Sequence, residues 1–214
     1  MNSTQPAANR RVAMYGGAFD PVHLTHLKLA RCVTQALHLE QLLWVPTGDA
    51  WHKNHVLTTA QHRVAMLRLA FQDEPEALVQ KWVISTSEID RTGPSYTVDT
   101  LEQLQQASSD AQWYVVMGAD QFALFHTWKR WQEIASRCTL AVIGRAGIPL
   151  QADADVMGQA KWVHVPFAES DVSSSVIREL AHQAAGGSQQ AAERLAGMVP
   201  APVIGYIEQH HLYQ

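Results

Sequence analysis

The stretch Y-G-G-A-F-D-P-V-H-L-T-H-L-K-L-A, Tyr15 to Ala30, decides how the rest of the chain is read. The apolar run Val12 to Tyr15 before it reads as a buried strand, and the spacing from Leu24 to Leu37 is helical. Between them stand two glycines, a proline and a histidine, with a second histidine following. A residue without Cβ lets an anion approach backbone N–H groups closely, which suits Gly16 and Gly17 at the end of a strand. Pro21 fixes the chain before a helix whose first turn carries unpaired donors and partial positive charge. His23 and His26, three residues apart, place both imidazoles on that turn. Strand, glycine turn, helix N-terminus and paired imidazoles together describe a phosphate site. Neither G-x-G-x-x-G nor G-x-x-x-x-G-K-[ST] occurs, so this is a third kind of phosphate-binding turn. Taken singly, the glycines read as an ordinary turn and the histidines as a capped helix face or half a metal site; their joint position after the first strand favours phosphate.

Working outward, further short apolar runs follow at Leu42–Pro46, Trp82–Ser85, Trp113–Met117, Leu140–Ile143 and Trp162–Val165. Segments of helical spacing lie between them near Ala60–Phe71, Thr97–Gln106 and Gln121–Ala135. Alternation of strand and helix implies βαβ crossovers. The expected fold class is therefore α/β, a Rossmann-like, doubly wound, mostly parallel sheet with helices on both faces. Such sheets bind ligands outside the carboxyl ends of their strands, where strand order reverses. Gly144 to Gln159 reads as a loop, and His182 to Ala192 as a helix end, a loop and a new helix start.

The length of 214 residues is expected to give one domain over 11–214, with residues 1–10 a frayed tail and 171–214 a C-terminal helical part. No apolar run approaches the ~20 residues of a membrane helix, and the N-terminal M-N-S-T-Q-P-A-A-N-R-R has no secretory apolar stretch, so a cytoplasmic protein without membrane contact is expected. A net charge of −4 offers no basic face for nucleic acid, so any anionic ligand must be met by a local cluster. Cys32 and Cys138 fit neither a disulfide framework nor a metal site and read as buried thiols.

G-G-A-F-D-P-V-H-L-T-H resembles the G-G-x-F-D-P-x-H-x-G-H signature of the nucleotidyltransferase superfamily, relatives of the class I aminoacyl-tRNA synthetases; Thr25 stands where most bacterial members have Gly. E-I-D-R-T-G-P-S-Y-T-V-D-T-L from Glu88 is similar to the E-x-x-R-x-x-x-S-Y-T-x-x-T-L element of bacterial nicotinate-nucleotide adenylyltransferases. The G-x-D segment and Trp within M-G-A-D-Q-F-A-L-F-H-T-W-K-R-W from Met117, and V-S-S-S-V-I-R from Val172, resemble two further elements of that family. In P-T-G-D-A-W-H-K from Pro46, His52 and Lys53 match the family's P-P-H-K, while Ala50 and Trp51 replace its prolines.

The resemblance implies transfer of AMP from ATP to nicotinate mononucleotide, giving nicotinate adenine dinucleotide and pyrophosphate in NAD synthesis. It implies His23, His26 and Arg178 as catalytic residues. Gly17, Ala18, Phe19, Gly118, Asp120, Ser174 and Ser175 would join them in binding ATP, and Gly16, Lys53, Thr97 and Trp128 would bind the mononucleotide. Mg²⁺ would be held mainly by the ATP phosphates and water. The attacking group is already an anionic phosphate, so positioning and charge stabilisation suffice, and no Ser-His-Asp or Cys-His set is needed. On the residues alone, Trp128 equally reads as a core aromatic beside Phe122, Phe125 and Trp131, Thr97 and Asp120 as helix N-caps, and Glu88, Asp90 and Arg91 as a solvated loop. His52, His55 and His62 match no standard metal-ligand spacing. Nicotinamide mononucleotide or another phosphate acceptor in place of nicotinate mononucleotide, or a nucleotide sensor without catalysis, are the alternatives. A homo-oligomer is compatible with the sequence.

Overall fold

The computed structural model describes residues 10–48, 57–168 and 172–214. Six strands, β1 (Arg11–Gly17), β2 (Gln41–Pro46), β3 (Trp82–Ile84), β4 (Gln112–Gly118), β5 (Thr139–Gly144) and β6 (Trp162–Pro166), form one parallel sheet in the order β3-β2-β1-β4-β5-β6. Every adjacent pair is parallel because each connection crosses a face of the sheet. The order reverses between β1 and β4, whose register pairs Val12 with Trp113 and Tyr15 with Val116.

Side chains alternate between two cores, as a strand period of two requires. Ala13, Tyr15, Leu42, Trp44, Tyr114 and Val116 face one core, packed by α1 (Leu24–Ala36), α2 (Ala60–Ala70), α8 (Ser174–Ala185), α9 (Gln189–Ala196) and α10 (Ala201–Gln209). Val12, Met14, Leu43, Val45, Val115 and Met117 face the other, packed by α4 (Thr97–Gln106), α5 (Ala119–Ala123), a 3₁₀ turn at Phe125–Thr127, α6 (Trp131–Arg137) and α7 (Ala154–Gln159). Burial on both faces is why these strands read as continuous apolar runs. A short α3 (Glu76–Val79) precedes β3. Among the described residues no helix is long and apolar enough to cross a membrane.

Gln121 to Ala135 is not one helix as its spacing suggests. It breaks after Ala123, passes through the 3₁₀ turn, becomes extended at Trp128 and restarts after Arg130, which sits at φ 54°. Phe125 meets Trp128 at 5.4 Å and Trp131 at 6.0 Å between centroids across the break. Both aromatics join the same core as Phe125, and Glu133 and Asp99 hold the Arg130 guanidinium where the chain turns between them. The expected loop Gly144–Gln159 contains α7, started by the Asp153 carboxylate accepting the Asp155 N–H at 2.9 Å. Cys138 is buried as expected; Cys32 is only half-buried, its thiol near the Pro166 carbonyl.

Gly48, just past β2, packs against the Glu88 segment so closely that a Cβ there would overlap the Glu88 carbonyl. Gly48→Ala is expected to lower the thermal midpoint by several degrees, whereas Gly158→Ala, with open space around the added atom, leaves it nearly unchanged. Differential scanning fluorimetry of the two variants checks this.

Candidate active site

At the carboxyl ends of β1 and β4 a cavity of about 880 Å³ opens over the point where strand order reverses. Gly16, Gly17, Ala18, His23 and His26 line one side, Gly118, Asp120, Thr97 and Trp128 the other, and Ser174 a third. A second hollow of about 720 Å³ shares Thr25, Gly118, Asp120 and Ile143 with it and continues along Ile148 to Gln151. Ten of the sequence-predicted site residues thus meet around one space.

The rest are placed differently. Phe19 is 1% exposed, at φ 49°, with its ring 5.5 Å from Tyr15 and 5.3 Å from Trp44. A Cβ on Gly17 would lie 2.9 Å from that ring, so Gly17 makes room for Phe19 as well as for a ligand. Ser175 and Arg178 lie on the first turns of α8 but not in the cavity wall. Arg178 donates to the Asp20 carbonyl at 2.8 Å and to the Ser175 hydroxyl, while the Ser174 hydroxyl donates to the Pro21 carbonyl at 3.1 Å. The start of α8 therefore grips the glycine turn itself. Lys53, with His52 and His55, lies outside the described residues; His62 bonds the Tyr206 hydroxyl at 2.9 Å.

Below the turn sits Arg63 of α2, 2% exposed. Its guanidinium donates to the carbonyls of Ala18 (2.9 Å), Thr47 (2.7 Å) and Thr58 (2.9 Å). In a trans peptide the N–H points opposite to the carbonyl, so fixing Ala18 O toward Arg63 aims the Phe19 N–H away from it. Sequence reading passed over this residue, although Arg63 falls on the apolar face of α2 with Met66, Leu67 and Ala70, an arrangement that marks a buried cation.

Burial pushes His23 down to about 4, so its ring is uncharged at neutral pH. Its Nδ1 is buried with no hydrogen-bond partner among the described residues. The His23 N–H donates to His26 Nδ1 at 3.2 Å, which assigns the His26 proton to Nε2. The rings stack with centroids 3.7 Å apart. None of the described residues lining the main cavity is Lys or Arg, so this wall meets an anion with dipoles.

On the opposite wall Thr97 opens α4 and Tyr96 is the N-cap; likewise Gly118, not Asp120, caps α5. The Asp120 carboxylate folds into the space a Cβ on Gly118 would occupy. Trp128 is partly buried, packed on Phe125 with a face left to the cavity. Glu88 corrects the solvated-loop reading: it is 6% exposed, lines the cavity and accepts from Thr100 at 2.9 Å, and burial raises its carboxyl above the ordinary range.

A family described as cytidylyltransferase-like matches residues 14–180. A protein of Methylibium petroleiphilum named "Probable nicotinate-nucleotide adenylyltransferase" is 40% identical over 207 residues, covering 95% of this chain and 92% of that protein. One of the same name from Bordetella petrii is 37% identical over 210 residues, 96% and 100% of the two chains. The solved Plasmodium falciparum nicotinic acid mononucleotide adenylyltransferase, complexed with NaAD, superposes with a TM-score of 0.77 over 96% of this chain and 98% of that one, at 16% identity, a likeness of fold.

A histidine held neutral in the fold makes stability depend on pH with a definite sign. The unfolded chain takes up this proton near 6.5 and the folded one near 4, so the His23 contribution is whole above about 6.5 and is lost as pH falls toward 4. The urea midpoint of His23→Asn is expected to fall less across that window than that of the unsubstituted chain.

Proposed function

The chain belongs to the cytidylyltransferase-like family and, within it, to the nicotinate-nucleotide adenylyltransferases, and we propose that the cavity between β1 and β4 is where it transfers AMP from ATP to nicotinate mononucleotide. The products are nicotinate adenine dinucleotide and pyrophosphate. The observation that carries the assignment of the site is the gathering of the glycine turn, His23 and His26 at the sheet's switch point, facing Thr97 and Trp128 across one space.

A mononucleotide phosphate oxygen attacks the α-phosphorus of ATP, the bond from that phosphorus to its bridging oxygen breaks, and pyrophosphate leaves. Both reactants bring their own charge, so the chain's task is alignment and stabilisation of the oxygens on which charge grows. His23 and His26 donate to those oxygens as neutral rings. The glycine turn presents backbone N–H groups beside them. Arg178, bound to the Asp20 carbonyl, stands at the edge of the same turn, where the ligand's outer phosphates draw it, and Ser174 and Ser175 frame it. Gly118 and Asp120 lead into the second hollow, which takes the adenosine. Trp128 stacks on the pyridine ring and Thr97 receives its carboxylate.

The donor set bears on the metal. N–H and O–H groups suit phosphate oxygens, and the two carboxylates of the wall, Glu88 and Asp120, are bonded by Thr100 and folded against Gly118, so Mg²⁺ would come as a passenger of the ATP phosphates held by Gly17, His23, His26 and Ser174. Bound there, it supplies the positive charge that a wall of dipoles lacks. The reading implies one enzymatic domain, residues 11–214, working in the cytoplasm where ATP is at hand.

With ATP and Mg²⁺, pyrophosphate release is expected with nicotinate mononucleotide well above that with nicotinamide mononucleotide at equal concentration. Comparable rates would broaden the acceptor, and ATP binding without release would favour a sensor. His23→Ala and His26→Ala are each expected to lower kcat/KM by about 10²–10³ with the fold kept, as circular dichroism would show. A loss under about tenfold would remove these residues from the reaction.

A further inference from the structure

Tyr213 lies in the turn after α10, 193 residues from Asp20, yet its hydroxyl donates to the Asp20 carboxylate at 2.6 Å. Asp20 is 1% exposed and sits inside the glycine turn, between Phe19 and Pro21. Its second carboxylate oxygen accepts the Thr58 N–H at 3.2 Å, and its carbonyl accepts from Arg178. A buried carboxylate keeps one position only while its acceptors are filled, so the tyrosine hydroxyl helps fix where the turn runs. Burial and the Asp20 charge raise the Tyr213 phenol well above its ordinary value, and it donates as a neutral O–H.

The backbone supports the same reading. His211 and Tyr213 stand at φ 50° and 64°, a region that L side chains adopt at a cost and keep where their surroundings fix them. Leu212 N–H bonds the Ile207 carbonyl at 3.0 Å, tying this turn to α10. The Tyr213 phenol is thereby delivered to one atom of the phosphate turn. Thr97 and Trp128, on the far wall, belong to α4 and to the turn after the 3₁₀ segment, outside this chain of bonds.

We infer that Tyr213 is a positioning residue for the triphosphate half of the site: through Asp20 it holds the Gly17–His23 turn in the form that presents its N–H groups and imidazoles to ATP. The inference rests on the reading of that turn as the ATP phosphate site. It assigns a role in substrate alignment to a residue distant in sequence from every motif named above.

Steady-state kinetics on the full chain test it, with KM for ATP, KM for nicotinate mononucleotide, kcat and thermal midpoint measured for Tyr213→Phe, Asp20→Asn, their double variant and Tyr206→Phe. Tyr206 is the comparator because its hydroxyl bonds His62 rather than the turn. Tyr213→Phe is expected to raise KM for ATP about tenfold or more while KM for the mononucleotide stays within about twofold. The double variant should lose little beyond the worse single one, as residues acting through one bond do. Tyr206→Phe should leave KM for ATP unchanged whatever it does to the thermal midpoint. If Tyr213→Phe does not fold, Asp20→Asn, whose single amide oxygen cannot accept from both the Tyr213 hydroxyl and the Thr58 N–H, is read for the same split. Unchanged KM for ATP, an equal rise in both KM values, or a drop in kcat matching only the unfolded fraction overturns the inference and leaves the site reading standing. No pyrophosphate from the unsubstituted chain with either mononucleotide overturns the site reading, and the inference with it.

Discussion

The guanidinium of Arg63 is buried beneath the glycine turn, and burial of that charge is tolerable only because three carbonyls surround it. Desolvation lowers its pKa, and the Asp20 charge opposes that shift. The carbonyls come from the residue after β1, the residue after β2 and the segment leading into α2. One side chain thus joins three stretches that would otherwise end as separate loops above the sheet. Asp20, bonded by Tyr213, Thr58 N–H and, through its carbonyl, Arg178, completes the frame from the other side. What faces the ligand is the outer surface of this polar knot.

Among the described residues, the wall of the cavity between β1 and β4 offers dipoles rather than cationic side chains. His23 is neutral by burial, His26 spends its Nδ1 on the backbone, and the described cavity wall holds no lysine or arginine. Fixed neutral donors need no reorganisation as charge moves from one phosphate oxygen to another, which suits a reaction whose nucleophile and leaving group are both phosphates. Two carboxylates nevertheless line the cavity, Glu88 and Asp120. Glu88 is held by Thr100, and burial raises its carboxyl.

Much of the fold was legible because burial on both faces writes the inner parallel strands as uninterrupted apolar runs, and all six apolar runs, those of the half-covered edges β3 and β6 included, became strands of one sheet. The stretch from Gln121 to Ala135 was not, because its helical spacing continues across Trp128, which is extended, and Arg130, which is left-handed, and a period read along the letters does not register such a local change of backbone. Most of the candidate site was legible as well: the glycines, the two histidines, Gly118, Asp120, Thr97, Trp128 and Ser174 share one cavity. Arg178 and Ser175 stand on α8 beside the turn, where Arg178 bonds the Asp20 carbonyl and the Ser175 hydroxyl, a contact that residue spacing alone does not reveal. Glu88 was undervalued because a carboxylate in a polar, glycine-containing segment gives no local sign of burial.

The sequence by itself determined the strand and helix alternation, the placing of a phosphate-type turn after the first strand, and which residues carry the family's motifs. These are local facts, set by side-chain period, by missing Cβ atoms and by residue type at short spacing. Tertiary structure alone decided that Arg63, Asp20 and Tyr213 form the support of that turn, that His23 is uncharged, and that Phe19 looks inward. Each depends on what surrounds a group rather than on what precedes it in the chain. A hydroxyl 193 residues away, or the loss of water around an imidazole, leaves no trace in the neighbouring letters.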